Sequence, residues 1–222
     1  MILICWLATY YGTAREPQYQ GRSLSEWLEQ AQIAYAKCPD QEHPERDPAY
    51  LVCKVAINQM GTNCIPFLLD DLLAKESKLR QEISSLAKRP ALASILTRNW
   101  AHKLRMVEAD GEHHTMRLRI HALFGFEALE QNAKYAEPAL VKLTTDADRD
   151  RRFWGYVAFA DTKPTKEVFL PVAICLMKDP DEEIRTIAAG TIQSLYPEEA
   201  ERLGVYAAFP DLRPQTNQIV MP

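Results

Sequence analysis

Glycine is scarce in this chain, 8 of 222 residues, and so is the alternation of apolar and polar side chains that marks a half-buried strand. Both shortages argue against sheets joined by tight turns and leave an all-α class, for which 47% hydrophobic content supplies ample core. Cysteine is sparse and odd in number. Cys5, Cys38, Cys53, Cys64 and Cys175 are scattered without a Cys-x-x-Cys spacing, so the density of a disulfide framework is missing and buried free thiols are expected. Cys53 and Cys64 could fall in one helix pair, but spacing alone does not establish a bridge. No glycine-rich phosphate loop is present, and no Ser-His-Asp or Cys-His arrangement in motif context, so the reactions those patterns serve find no residues here.

Long apolar runs are missing too, with one partial exception. Residues 1–11 are apolar but fall well short of the ~20 needed to span a bilayer. The first basic residue, Arg15, follows the run instead of preceding it as a secretory signal requires. Residues 1–18 are read either as a cap on the first repeat or as the clipped end of a membrane anchor. Location therefore stays open between cytoplasmic and envelope-associated.

What the chain does have is a repeat. At a spacing of thirty-three residues Pro138 aligns with Pro171, Asp146-Ala147-Asp148 with Asp179-Pro180-Asp181, and Arg152 with Arg185. Phe126, Phe159 and Ile192 share one position of the period, and Leu143 and Leu176 another, all expected in the core. A proline near the start of an apolar stretch, an Asp-rich turn and an Arg in the next stretch make one helix-turn-helix unit, and such units bury their apolar faces only by stacking on neighbours.

The rest of the chain can be parsed around that unit. A Ser-x-x-Glu capping box at Ser23 and Glu26 opens a helix reaching about Lys37, with Leu24, Trp27, Leu28 and Ile33 assigned to one face. Residues 38–48 read as a polar loop. A helix over 50–60, a turn at Gly61-Thr62-Asn63 and a helix opened by Pro66 form the first pair. Two helices, 75–88 and 90–107, occupy an irregular basic stretch over 75–110, which Asp110-Gly111-Glu112 is expected to end. Pairs follow over 116–129 with 136–145, 150–160 with 166–178, and 182–195 with 198–206. The helical array is thus framed at 19–209, and 210–222 read as an extended tail.

The segments Ala136-Glu137-Pro138-Ala139-Leu140-Val141-Lys142-Leu143 and Leu170-Pro171-Val172-Ala173-Ile174-Cys175-Leu176, each followed by its Asp turn and Arg, resemble HEAT repeats. The opening Gly21-x-x-Leu24-x-x-Trp27-Leu28, taken with Met60-Gly61-Thr62-Asn63-Cys64-Ile65-Pro66, is similar to a group of bacterial HEAT-repeat proteins that carry an apolar N-terminal anchor. The likeness covers residues 19–75 and 116–200. It implies an α-α superhelix, a HEAT-like solenoid of about five helix pairs, with a binding or scaffolding role and no catalytic residues.

Several residue groups invite a chemical reading. Asp146, Asp148, Asp179 and Asp181 precede helices, where a carboxylate accepts free backbone N–H groups and favours the positive helix end. Arg119, Arg152 and Arg185 are equivalent positions that can bridge to the Asp turn of the neighbouring repeat, forming with Asp146 and Asp179 a structural ladder. Alternatively they display a row of guanidinium groups to an acidic partner. His113, His114 and His121 have only Asp110 and Glu112 as further ligands, so no metal site is expected, and no cofactor. Phe153, Trp154 and Tyr156 lie beside Arg151 and Arg152, an arrangement that fits core packing for at least two of the three, or stacking on bases.

Charge placement carries more functional content. Residues 75–105 hold eight basic side chains against Glu76 and Glu82, in a chain whose net charge is −4. This segment suggests docking to phosphate, anionic lipid or an acidic protein surface, set against an ordinary solvated face. The expected function is a non-enzymatic protein-interaction scaffold whose protein partner docks on the concave face, with Asp70, Asp71, Lys75, Lys142, Thr145 and Lys178 as contacts. Lys88, Arg89, Arg98, Lys103 and Arg105 are the candidates in the basic segment. The alternative is a nucleic-acid-binding helical-repeat protein, DNA-glycosylase-like in one form, or weak non-specific contact of 75–105 with nucleic acid or an anionic surface. No small-molecule substrate is evident.

Overall fold

The computed structural model of the chain describes residues 15–39, 43–74 and 98–212, leaving aside the side chains of Glu45 and of residues 98–113. Outside the described residues lie Cys5 and the apolar N-terminal run, residues 75–97 with Lys75, Lys88 and Arg89, the side chains of Arg98, Lys103, Arg105 and His113, and the tail from 213. The described residues form helices joined by short loops, with one small hairpin, and the chain divides into two compact units, Met1–Ala136 and Glu137–Pro222. Among them no helix is long and apolar enough to cross a membrane.

The first unit opens with an antiparallel hairpin of β1 (Gln18–Tyr19) and β2 (Arg22–Ser23). Sequence alone gives it no signal, because each strand is too short to alternate. Its turn is carried by Gln20 at φ +51° and Gly21 at φ +77°, so a glycine is spent where the chain must turn left-handed. Ser23 then caps α1 (Leu24–Lys37) through the full capping box with Glu26. Trp27 donates its indole N–H to the Tyr19 carbonyl at 3.1 Å and lies under the Arg22 guanidinium at 5.0 Å, which ties hairpin to helix. Leu24, Trp27 and Leu28 are buried as expected, but Ile33 is 47% exposed. Nine residues from Leu24 is two and a half helical turns, which puts Ile33 on the opposite face.

Asp47 caps α2 (Pro48–Met60), and a 3₁₀ turn at Gly61–Cys64 leads into α3 (Ile65–Leu72). All three helices pack on α4 (Arg98–Leu129). α4 runs straight through Asp110-Gly111-Glu112, where a break was expected: a single mid-helix glycine costs only about 1 kcal/mol, and no proline enforces a stop. Gly125 lets α3 approach closely, since a Cβ there would stand 2.3 Å from a Leu68 methyl. Tyr35, Tyr50 and Phe124 form an aromatic cluster with centroids 5.4–6.3 Å apart. Tyr50 donates its hydroxyl to Glu127 at 3.0 Å.

The second unit contains α5 (Glu137–Leu143), α6 (Arg149–Asp161), α7 (Lys166–Leu176), α8 (Glu182–Leu195), α9 (Pro197–Arg202), α10 (Val205–Ala208) and a 3₁₀ turn at Pro210–Leu212. α5 packs on α6, α7 on α8, and α8 on both α6 and α9. The thirty-three-residue period survives as geometry: α6 and α8 start one period apart, and Phe159 and Ile192, at one position of it, are both fully buried. Leu176 is buried as expected, whereas Leu143 is half-buried; it is the last residue of α5, where Leu140 takes the fully buried place. The Leu143 Cβ would meet a Cβ on Gly155 at 2.5 Å, and the equivalent pair one period on is Leu176 with Ala188. The helix expected over 198–206 is split between α9 and α10 by Gly204, at φ +72°.

Candidate functional site

The Asp turns build a ladder from the backbone outward. In each, the second Asp caps the next helix: Asp148 accepts the Asp150 N–H at 3.0 Å, and Asp181 accepts those of Glu183 and Ile184 at 3.1 and 3.2 Å. The first Asp braces the turn, with Asp146 accepting the Asp148 N–H at 2.9 Å and Asp179 that of Asp181 at 2.8 Å. The Arg that follows closes over its own turn. Arg152 Nη1 donates to the carbonyls of Asp146 and Ala147, both at 3.1 Å, and Arg185 Nη1 to those of Asp179 and Pro180 at 2.8 and 2.9 Å.

Arg152 also reaches the next repeat. Its Nε and Nη2 donate to the two oxygens of Asp179 at 2.7 and 3.0 Å, a bidentate pair in which the Arg152 side chain is 13% exposed and that of Asp179 5%. The fork holds the Asp179 carboxyl below its ordinary value, against a smaller opposing effect of burial. Two further ion-paired rungs join helices of the second unit. Arg149 pairs with Asp181 at 3.2 Å and with Glu183, and Lys166 pairs with Glu199 at 2.7 Å while standing 5.9 Å from the Tyr196 ring. Neither Arg149 nor Lys166 stands out in the sequence, although Lys166 lies one period from Glu199, and Arg149 lies 32 and 34 residues from Asp181 and Glu183, one residue to either side of the period. That offset was the signal available.

Arg119 belongs to the first unit, where Nη2 donates to the Ala74 carbonyl at 3.4 Å, and within the second unit Arg151 donates to the Asp146 carboxylate at 3.2 Å. At the far end the pattern changes again, because the residue one period beyond Asp179 is Leu212. Arg185 lines an open groove of about 760 Å³, and among the described residues it meets no carboxylate. Ile174, Met177, Leu203 and Phe209 supply its apolar lining, and Lys178, Glu182 and Asp211 its charged rim with Arg185.

Of the partner-contact candidates, Lys178 is brought into this groove, while Lys142 and Thr145 are exposed elsewhere on the second unit. Asp70 and Asp71 belong to the first unit, Asp70 exposed and Asp71 half-buried. Burial, together with Glu16 and Asp70, raises the Asp71 carboxyl to about 6. His121 is buried against the Gln32 amide oxygen at 2.9 Å and His114 contacts Arg117 at 3.0 Å, and no cluster of three metal-ligating side chains occurs among the described residues. Of the three aromatics beside Arg151, only Tyr156 is fully buried; Phe153 and Trp154 are half-buried against one another at 5.2 Å. Cys38, Cys53 and Cys64 are buried, with no Cys53–Cys64 bridge, and burial pushes Cys64 up to about 12; Cys175 is exposed.

Fold and groove together define an all-α protein whose second unit carries repeated helix pairs cross-linked by charge. No family model, no curated protein and no solved structure matches the chain.

Proposed function

We propose that the chain is a non-enzymatic protein-interaction scaffold, a HEAT-like α-solenoid that binds a protein partner in the groove lined by α7, α8 and the Pro210–Leu212 turn. The observation that carries this reading is the groove itself: an apolar lining with charged groups of both signs on the rim suits a polypeptide with a mixed surface. The ladder supports it by fixing the spacing of the helix pairs, so that the groove is held ready before a partner arrives. Nucleic-acid binding through 75–105 rests on side chains outside the described residues, and the Arg151 and Arg152 that would flank stacked bases are already paired with Asp146 and Asp179.

The reading is tested by affinity capture from an extract of the source cell, with and without nuclease, using the wild type and Thr186→Trp, a change at an exposed position on the groove wall. A protein captured by the wild type, indifferent to nuclease and lost with the variant, is expected. Capture that nuclease abolishes would replace this reading with the nucleic-acid one.

A further inference from the structure

We propose that the open end of the ladder is a carboxylate-binding site, in which Arg185 takes the Asp or Glu side chain of an acidic peptide segment from a partner protein. This rests on the scaffold reading and names the chemistry of the partner. The argument is internal to the repeat. Arg152 and Arg185 are one period apart, and each is anchored by Nη1 to the two carbonyls of its own Asp turn, which leaves the Nε–Nη2 edge for another partner. For Arg152 that edge is filled by both oxygens of Asp179, in a pair nearly withdrawn from water. For Arg185 the residue equivalent to Asp179, one period beyond it, is Leu212, and among the described residues no carboxylate pairs with its guanidinium.

The same fork thus occurs twice, once occupied and once open onto a groove. A planar guanidinium whose orientation is already fixed loses little freedom on gripping a carboxylate, and two parallel N–H donors match its two oxygens. Lys178 on the groove rim adds a second positive charge. The apolar residues Ile174, Met177, Leu203 and Phe209 can take the side chains flanking the acid, which selects an acidic residue in an apolar context over a free carboxylate. Glu182 and Asp211, also on the rim, disfavour a run of consecutive acids and so favour a single one.

The test uses the full chain and labelled hexapeptides with Leu and Phe around one central position that is Glu, Gln or phosphoserine, read by fluorescence anisotropy. The Glu peptide is expected to bind about tenfold or more tighter than the Gln peptide, as a charge-assisted bidentate pair implies. Arg185→Gln is expected to erase that preference. Leu212→Asp restores the missing rung from within the chain, so it is expected to raise the melting temperature and block the Glu peptide, which keeps the test sound should Arg185→Gln loosen the turn. An acetate titration of the wild type, followed at the arginine Nε–H resonances, should shift Arg185 saturably and leave Arg152 still. Equal binding of Glu and Gln peptides, a Glu preference that survives Arg185→Gln, tighter binding of phosphoserine, or no saturable shift at Arg185 would each overturn the assignment. If the Glu preference is absent while Thr186→Trp still abolishes capture of a protein, the carboxylate site fails alone. If the preference is present but no protein is captured, the scaffold reading fails instead.

Discussion

The Arg152 side chain holds four oxygen atoms, two of Asp179 and the carbonyls of Asp146 and Ala147, and its removal strands a carboxylate that is almost out of water. Arg152→Ala should therefore cost roughly 2–5 kcal/mol, because the penalty is set by the unpaired Asp179 more than by the pair's own attraction. Removing both partners as Arg152→Ala with Asp179→Asn should cost less than the first change alone, and urea melts of the three proteins check this. The acid dependence follows in sign: Asp179 is held below its ordinary 3.8, so its contribution is present above that value and fades as pH falls through the folded value. Asp71 behaves oppositely. Burial raises it to about 6, so folding favours the protonated form and the ionised form weighs against the fold above that pH. Asp71→Asn should stabilise the chain at pH 8 by on the order of 1–2 kcal/mol and make no difference below pH 4, as measured by melts across that range.

The decisive features among the elements are close crossings and caps. Gly→Ala inside an exposed helix ordinarily stabilises by about 1 kcal/mol, yet at Gly155 the added methyl would stand 2.5 Å from the Leu143 Cβ. Overpacking should win, so Gly155→Ala is expected to destabilise by about 1–3 kcal/mol, with thermal melts as the check. A gain in stability would mean that α5 and α6 separate without cost. Caps and repeats were legible in the sequence because they are local: Ser23 with Glu26, Asp148 and Asp181 all stand where the pattern of apolar residues requires a start. The two-residue strands of the hairpin were not legible, since strand signals need alternation over more residues. Nor was the continuity of α4 through Gly111, because a lone glycine weakens a helix without ending it. The Arg152–Asp179 rung could be anticipated from the period, but the open edge of Arg185 could not: it depends on which residue the fold sets opposite the guanidinium.

For the molecule as a whole, the account joins a period in the sequence to a surface left open where that period stops. The second unit is cross-linked along its length by Arg149, Arg152 and Lys166, and its groove lies where Leu212 replaces the next Asp. Much of the chain's positive charge lies in residues 75–105, and the groove carries a charge balance of its own, so the two surfaces predict different partners and different responses to salt. Site-specific photo-crosslinking in the source cell separates them most directly, with the reactive group placed at Thr186 in the groove or at Glu198, an exposed position in α9. The account predicts a discrete protein adduct from Thr186 that is absent from Glu198 and diminished by Arg185→Gln. Adducts to nucleic acid from Thr186, or the same adducts from both positions, would contradict it.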